Sequence, residues 1–363
     1  MRSMNEKLSP FQIAVLVYMI QAGIVMFTLP HQLADYFGTN GWLVLFPGLL
    51  VTSFNIYLIT LVYRLGEGRS VFEILEHSLP KIVLYPVYLF LASVWMIFGC
   101  MIGKKYVLLF QMISFPTTNP MVFKLAVDIL LFLMLLKGIY GITKATTLFF
   151  WMSAWMFVLL LWFVPSFSWA RLTPFVLKGG HDYIKGAQEI YSAYLGYELS
   201  ILLFPYIDRT KKAMLGIYIG NAYLSVVYIC LSLVCFGFFS LGQLQKLLFP
   251  LIDLLAYIQF PFIERLENML YGFFLFKILI TVVMYWWGAQ EALARVVPKL
   301  KNKVMIIIMI TISYGISFIP KTLDQVNLWI TNLGYATTLI AFCLPVILIV
   351  LLLIQGKGRT SHA

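Results

Sequence analysis

Two ionisable side chains, Glu198 and Lys277, lie inside long apolar stretches of the sequence and are the first candidates for chemistry. A charged group in apolar surroundings is unfavourable and usually faces a cavity or a partner. A carboxylate and an ammonium in one polar pocket could bind the two charged ends of a small ligand. They could equally pair with each other and lock two helices together, and the sequence leaves both interpretations open.

Two of the apolar stretches share an unusual order, a central glycine followed by a proline: Gly23 precedes Pro30, and Gly196 precedes Pro205. Glycine weakens a helix and proline removes a backbone donor, so both stretches can break. At ~1.5 Å per residue, Gln21 and Gly196 lie about 15 and about 14 Å inside their stretches, near the middle of a bilayer. A break there frees backbone groups that a ligand could satisfy. The alternative is that the glycines only allow close helix packing.

Other reactive residue types form no recognised pattern. The four cysteines lie in apolar stretches and the four histidines are scattered, without a CxxC pair or zinc-ligand spacing. The sequence also has no GxSxG, Walker-loop or paired-carboxylate motif. We therefore expect no enzymatic activity, no catalytic residue, no metal and no cofactor.

The elements that must position these residues are predicted to be membrane helices. The chain is 61% hydrophobic and 11% charged, whereas a soluble domain is typically about 25% charged. A helix that crosses the hydrocarbon core needs about 20 apolar residues. This length predicts an all-α polytopic membrane protein, a single integral membrane domain over residues 1–363 with ten transmembrane helices. The predicted spans are 11–37, 41–64, 82–113, 120–137, 141–167, 187–207, 212–239, 268–297, 304–320 and 328–354.

The net charge of +11 is best explained by the orientation of these spans in the lipid bilayer. Of the 26 Lys and Arg residues, sixteen fall on one predicted side, six on the other and four within spans. Positive charge collects on the cytoplasmic side, so both termini are expected to be cytoplasmic. Because the chain has no dense basic run, no nucleic-acid partner is expected.

Three long connections and four further charges complete the prediction. Residues 69–81 are predicted to form an amphipathic helix on the cytoplasmic surface, 168–186 an outer loop, and 240–267 a helical hairpin over the outer mouth. Lys104 and Lys105 are expected to extend to the outer interface. The spacing of Lys124 and Asp128, four residues apart, predicts a pair along one helix face.

Three segments of the sequence are distinctive: Gln21-Ala22-Gly23 through Leu29-Pro30, Leu195-Gly196-Tyr197-Glu198 through Phe204-Pro205, and Phe262-Ile263-Glu264-Arg265-Leu266-Glu267. Through them the chain, from about Leu8 to Leu353, resembles the B-subunit family of GerA-type spore germination receptors. The resemblance implies the fold of the amino acid-polyamine-organocation superfamily. That fold is a LeuT-like core of two inverted five-helix repeats, here 11–167 and 187–354, with broken first and sixth helices.

The resemblance also implies a function and a site. The chain would be a membrane subunit of a nutrient germinant receptor in the inner spore membrane. There it would act with A-type and C-type subunits, bind a small nutrient such as an amino acid, and trigger germination. The ligand-binding residues implied or nominated are Gln21, Ala22, Gly23, Ile24, Trp95, Gly99, Gly196, Tyr197, Glu198 and Lys277. The alternative is an amino acid secondary transporter or permease coupled to H⁺ or Na⁺, because a fold alone does not determine function.

Overall fold

The computed structural model describes residues 7–172, 175–208, 211–258 and 266–360, with the side chains of 211, 266–267 and 356–360 left out. The described chain is built almost entirely from helices. The α-helices are α1 Pro10–Gln21, α2 Leu29–Phe37, α3 Leu45–Leu65, α4 Val71–Ser78, α5 Lys81–Ser114, α6 Pro120–Leu136, α7 Gly138–Ala154, α8 Tyr183–Ser192, α9 Lys211–Phe238, α10 Leu241–Leu244, α11 Pro250–Leu255, α12 Leu266–Val296, α13 Asn302–Ile316 and α14 Leu323–Thr360. Segments of 3-10 helix occupy Ile24–Phe27, Gly41–Val44, Trp155–Ser166, Trp169–Leu172 and Tyr197–Tyr206.

Local sequence signals set several helix starts. Ser9 and Gln12 form a capping box before α1, with Pro10 in the first turn, and Asn119 caps α6 ahead of Pro120. A capping side chain satisfies a backbone N–H that has no partner in the helix, and proline is tolerated at that position. These starts agree with the predicted spans to within a few residues.

Each of the ten predicted spans coincides with helical structure in the described chain. Six helical stretches there are long and apolar enough to cross a membrane: Gly41–Leu65, Lys81–Ser114, Gly138–Ser166, Lys212–Phe238, Asn268–Val296 and Leu323–Gln355. The first and sixth predicted spans are interrupted, and α6 and α13 are shorter helices. A multi-pass helical membrane protein follows, while the count of ten crossings and the inverted repeat stay predictions.

Two of the predicted connections contain short helices in their described parts. Residues 69–81 contain α4, which starts with a capping box between Ser70 and Glu73 and buries one apolar face. The predicted hairpin over 240–267 contains the short helices α10 and α11. Most of the Phe262 to Glu267 signature lies outside the described residues.

The centre of the bundle is α12. In an apolar 18-residue window of Asn268–Val296, 72% of the residues are buried, against 22% in the corresponding window of Gly138–Ser166, so α12 runs inside the protein while α7 borders the surface. It packs along α5, where Gly99 faces Trp286. A Cβ atom on Gly99 would lie 2.9 Å from the Trp286 ring. The close contact of these two helices therefore depends on glycine at that position.

Candidate functional site

The break in the first predicted span lies directly after Gln21. There α1 ends, Ala22 and Gly23 leave the helix, and Ile24 starts a 3-10 turn. Two carbonyls at the break accept hydrogen bonds from side chains of other helices. The Tyr228 hydroxyl donates to the Gln21 carbonyl at 3.1 Å, and the Thr281 hydroxyl donates to the Ile20 carbonyl at 2.8 Å.

The break in the sixth predicted span is centred on Gly196. Helix α8 ends at Ser192, Gly196 has a φ of 122°, and a 3-10 helix begins at Tyr197. Glu198 accepts a hydrogen bond from the Gly196 N–H at 2.6 Å through one carboxylate oxygen. Its other oxygen accepts from the Tyr285 hydroxyl at 2.7 Å. The start of the second half-helix is therefore occupied by a carboxylate of the protein itself, which is the group that such an end favours.

The two breaks contact each other. The Gln21 side-chain amide donates to the Tyr194 carbonyl at 2.6 Å, and a Cβ atom on Gly196 would lie 2.6 Å from the Ile20 branch methyl. The Tyr228 hydroxyl also donates to the carbonyl of Ala193 at 3.0 Å, which links it to both breaks. The two glycine-centred stretches predicted to break are thus brought to one place in the fold.

A chain of side-chain hydrogen bonds extends from this junction into two other helices. The Gln21 amide donates to the Asn221 side-chain oxygen at 3.1 Å, and the Asn221 amide donates to the Thr52 hydroxyl at 3.0 Å. The side-chain oxygen of Gln21 is buried and has no hydrogen-bond partner among the described residues. An unpaired buried acceptor is unfavourable, so the junction retains an unmet polar group.

Glu198 and Lys277, proposed from the sequence to share a pocket or to pair, are not brought together. The Lys277 ammonium donates to the Tyr18 hydroxyl at 3.1 Å and lies 5.1 Å from the centre of the Phe274 ring. It borders a cavity of ≈ 40 Å³ with Tyr18 and Phe274, whereas Glu198 borders another of ≈ 10 Å³ with Trp95. Each charge is therefore held by its own neighbours.

The predicted ligand residues around the two breaks are close-packed in this conformation. Their side chains are buried, and the cavity beside Glu198 is no larger than a water molecule requires. Trp95 borders that cavity, and its ring N–H has no described partner. Gly99 instead lies at the contact of α5 with Trp286. Of the two residues nominated on the third span, Trp95 therefore shares a cavity with Glu198 at the second break.

A larger polar cavity adjoins the breaks on the predicted outer side. This outer cavity measures ≈ 280 Å³ and reaches both interrupted spans through Val25, Thr28 and Ala193. Its titratable lining residues are His31, Asp35, Tyr36, Lys105, Glu189 and Asp324. Sequence reasoning missed it, because these residues come from α2, α5, α8 and α14 with no common spacing.

The lysines near the outer end of α5 differ from their prediction. We expected Lys104 and Lys105 to extend to the interface, yet they are 3% and 7% exposed. Lys104 contacts the Met121 sulfur at 3.0 Å, while Lys105 lines the outer cavity. The pair of Lys124 and Asp128 is confirmed, with a buried contact of 2.5 Å.

Comparison with solved structures defines the class of protein. The fold matches Mhp1, a nucleobase-cation-symport-1 family transporter, with a TM-score of 0.66 and 11% sequence identity, over 93% of this chain and 78% of that one. It also matches a manganese transporter of Eremococcus coleocola, with a TM-score of 0.61 and 14% identity, over 95% and 78% of the two chains. This is a helical membrane protein with a LeuT-like transporter fold.

Sequence comparison then gives the family. A family profile described as "Spore germination protein" matches residues 7–326, so the chain belongs to the spore germination protein family. It is 22% identical to spore germination protein GerQB of Bacillus cereus over 334 residues, 91% of this chain and 92% of that protein. It is 24% identical to spore germination protein A2 of Bacillus subtilis (strain 168), over 98% of both chains. The recognition of this family from the sequence is confirmed.

Proposed function

We propose that this chain is the membrane subunit of a nutrient germinant receptor, which binds a small nutrient, an amino acid, and triggers spore germination. It acts with A-type and C-type subunits in the inner spore membrane, with both termini in the cytoplasm. The observation that carries the proposal is the junction of two broken helices in a member of the spore germination protein family.

The nutrient binds where the two breaks meet. The residues proposed to form this site are those implied by the family: Gln21, Ala22, Gly23, Ile24, Trp95, Gly99, Gly196, Tyr197, Glu198 and Lys277. Because several of them are close-packed in the present conformation, a second arrangement of the helices admits the ligand. Binding acts as a signal only if the nutrient has a different affinity for the two arrangements.

Spores that lack this subunit test the proposal. Their germination is measured as loss of optical density across a panel of amino acids, nucleosides and sugars, in a strain without other receptors of this family. We expect the response to one nutrient to disappear and to return with a wild-type copy of the gene. An unchanged response to every compound in the panel would contradict the proposal.

A secondary transporter coupled to H⁺ or Na⁺ is the alternative, and the shared fold with two transporters favours it. The distinguishing measurement is uptake of radiolabelled amino acid into proteoliposomes that contain the purified chain. Accumulation against the amino acid gradient would identify a transporter. A further distinction is whether the gene lies between genes for A-type and C-type subunits, as a receptor subunit requires, or alone.

A further inference from the structure

Lys105 is a buried ammonium without a contacting partner among the described residues. The opposite charge that acts on it is the carboxylate of Glu189, which lines the same cavity. Its side chain is 7% exposed and lines the outer cavity. Among the described residues it makes no hydrogen bond and no ion pair, whereas Lys104 contacts the Met121 sulfur and Lys124 is paired with Asp128. An unpaired buried charge is unfavourable unless something neutralises it. The side chain is therefore suited to receive an anionic group inside the cavity.

Glu189 supplies the opposite charge from another helix. Among the described residues its two carboxylate oxygens have only long hydrogen bonds, with the Gln32 amide at 3.4 Å and the Thr331 hydroxyl at 3.5 Å. Lys105 and Lys185 attract this carboxylate without forming an ion pair with it. Hydrogen bonds to a carboxylate are ordinarily below about 3 Å. The carboxylate therefore keeps acceptor capacity for a donor that enters the cavity.

The rest of the lining favours a cationic group beside Glu189. Asp35 and Asp324 add two acidic side chains, and Lys105 is the one lysine among the described lining residues. His31 has one ring nitrogen in contact with the Leu244 carbonyl at 2.9 Å. The cavity thus offers one site for an anion, on α5, and an acidic remainder for a cation.

The cavity is also of suitable size and position. Its ≈ 280 Å³ far exceeds the roughly 10–15 Å³ that a cavity needs to hold one water molecule, which leaves room for a small organic molecule. Thr28 and Ala193 border it, one beside each break. A molecule held there would contact the start of α2 and the end of α8.

We infer that the outer cavity is a binding site for a small zwitterion, with Lys105 holding its carboxylate and Glu189 its ammonium group. The inference rests on the proposed function, because the ligand is the nutrient on its way to, or seated beside, the junction of the breaks. Lys105 and Glu189 are not among the residues proposed to bind the nutrient at the junction. They add a contact for the carboxylate of the ligand and a contact for its ammonium group.

The test uses the purified full chain in detergent. Each standard L-amino acid is added in turn, the midpoint of thermal unfolding is recorded, and titration calorimetry gives the Kd of the amino acid that raises it most. The same titration is repeated with the carboxamide of that amino acid, which keeps the ammonium group and lacks the carboxylate. The variants are Lys105→Met and Glu189→Gln, and the matched control is Lys104→Met, whose ammonium does not line the cavity.

We expect Lys105→Met, Glu189→Gln and the carboxamide each to weaken binding by about tenfold or more, because each removes a charge-assisted contact. Lys104→Met should bind as the wild type does. Without ligand, Lys105→Met should unfold at a higher temperature than the wild type, since it removes a buried charge that no direct contact neutralises. A loss of affinity together with a gain in stability cannot come from general damage to the fold.

The inference would be overturned if Lys105→Met bound the amino acid with wild-type affinity, or if the wild-type chain bound the carboxamide as tightly as the amino acid. It would also be overturned if the wild-type chain bound no amino acid. If Lys105→Met does not fold, Glu189→Gln decides alone, and unchanged affinity in that variant overturns the inference. Germination separates this failure from failure of the receptor role. A nutrient response that depends on the subunit and is unchanged in Lys105→Met refutes only the outer site, while a response independent of the subunit refutes the receptor role.

Discussion

The two glycines at the breaks differ in what they allow, and this difference gives a prediction with a built-in control. At Gly196 the φ is 122°, which side chains with a Cβ rarely adopt, and a Cβ would lie 2.6 Å from the Ile20 branch methyl. At Gly23 the φ is −84° and the ψ is −160°. The closest neighbour of a Cβ there is the Thr281 hydroxyl oxygen at 3.6 Å, an ordinary contact.

For Gly196→Ala the structure predicts two losses. A residue held in a sparsely populated backbone conformation costs of order 1–3 kcal/mol, and overpacking against Ile20 adds typically 1–3 kcal/mol. The free energy of unfolding should therefore fall by about 2–6 kcal/mol. For Gly23→Ala no strain arises, and restriction of the unfolded chain should stabilise the protein by about 0.4–1 kcal/mol.

Both variants are measured by denaturant-induced unfolding of the purified chain and by its abundance in the spore membrane fraction. Ile20→Ala should cost less in the Gly196→Ala background than in the wild type, because it removes the methyl group that the new Cβ would meet. The reasoning is refuted if Gly196→Ala is as stable as the wild type, or if the two glycine variants lose stability equally.

Three further predictions concern the buried charges. Lys124→Ala should lower the free energy of unfolding by about 3–5 kcal/mol because Asp128 loses its partner. The double variant Lys124→Met with Asp128→Leu should recover most of this loss. If the double variant loses as much stability as Lys124→Ala or more, the ion pair itself stabilises the protein. Tyr285→Phe removes one of the described hydrogen bonds to Glu198, worth about 1.5–3 kcal/mol. In the Tyr285→Phe background, Glu198→Gln should lower the free energy of unfolding by less than it does in the wild type. An equal loss in the two backgrounds would argue against the contact. Among the described residues, Glu198 and Lys277 share no hydrogen-bond partner. The effects of Glu198→Gln and Lys277→Met on the free energy of unfolding should therefore add to within about 0.5 kcal/mol. A larger departure from additivity would show a connection between the two residues that is absent from this conformation.

The sequence predicted where the two spans break better than it predicted which side chains contact the breaks. Counting residues at a fixed rise per residue placed Gln21 and Gly196 near the middle of their spans, and the structure breaks both spans there. The partners of the freed groups, Tyr228, Thr281 and Tyr285, could not be found in this way. They are single polar residues on α9 and α12, and which way each faces depends on the packing of helices far apart in the chain.

The same limit explains the misplaced lysines. Helix α5 is apolar on nearly every side over most of its length, so the sequence contains no periodicity that would assign Lys105 to the interior or to the surface. The position of Lys104 and Lys105 near the end of the span predicted that they reach the interface. The packing of neighbouring helices buries them instead. By contrast, the contact of Lys124 with Asp128 is local, four residues along one helix, and was predictable.

The hydrogen bonds that leave Gln21 also limit how the bundle can move. The rise of one residue along α1 is about 1.5 Å. A shift of that size along the bonds from the Gln21 amide to Tyr194 and Asn221, now 2.6 and 3.1 Å long, would take both beyond the limit of about 3.5 Å. Asn221 in turn binds Thr52 on α3. Helices α1, α3 and α9 are thereby linked at one level, and we expect a displacement of any one of them to carry the other two along.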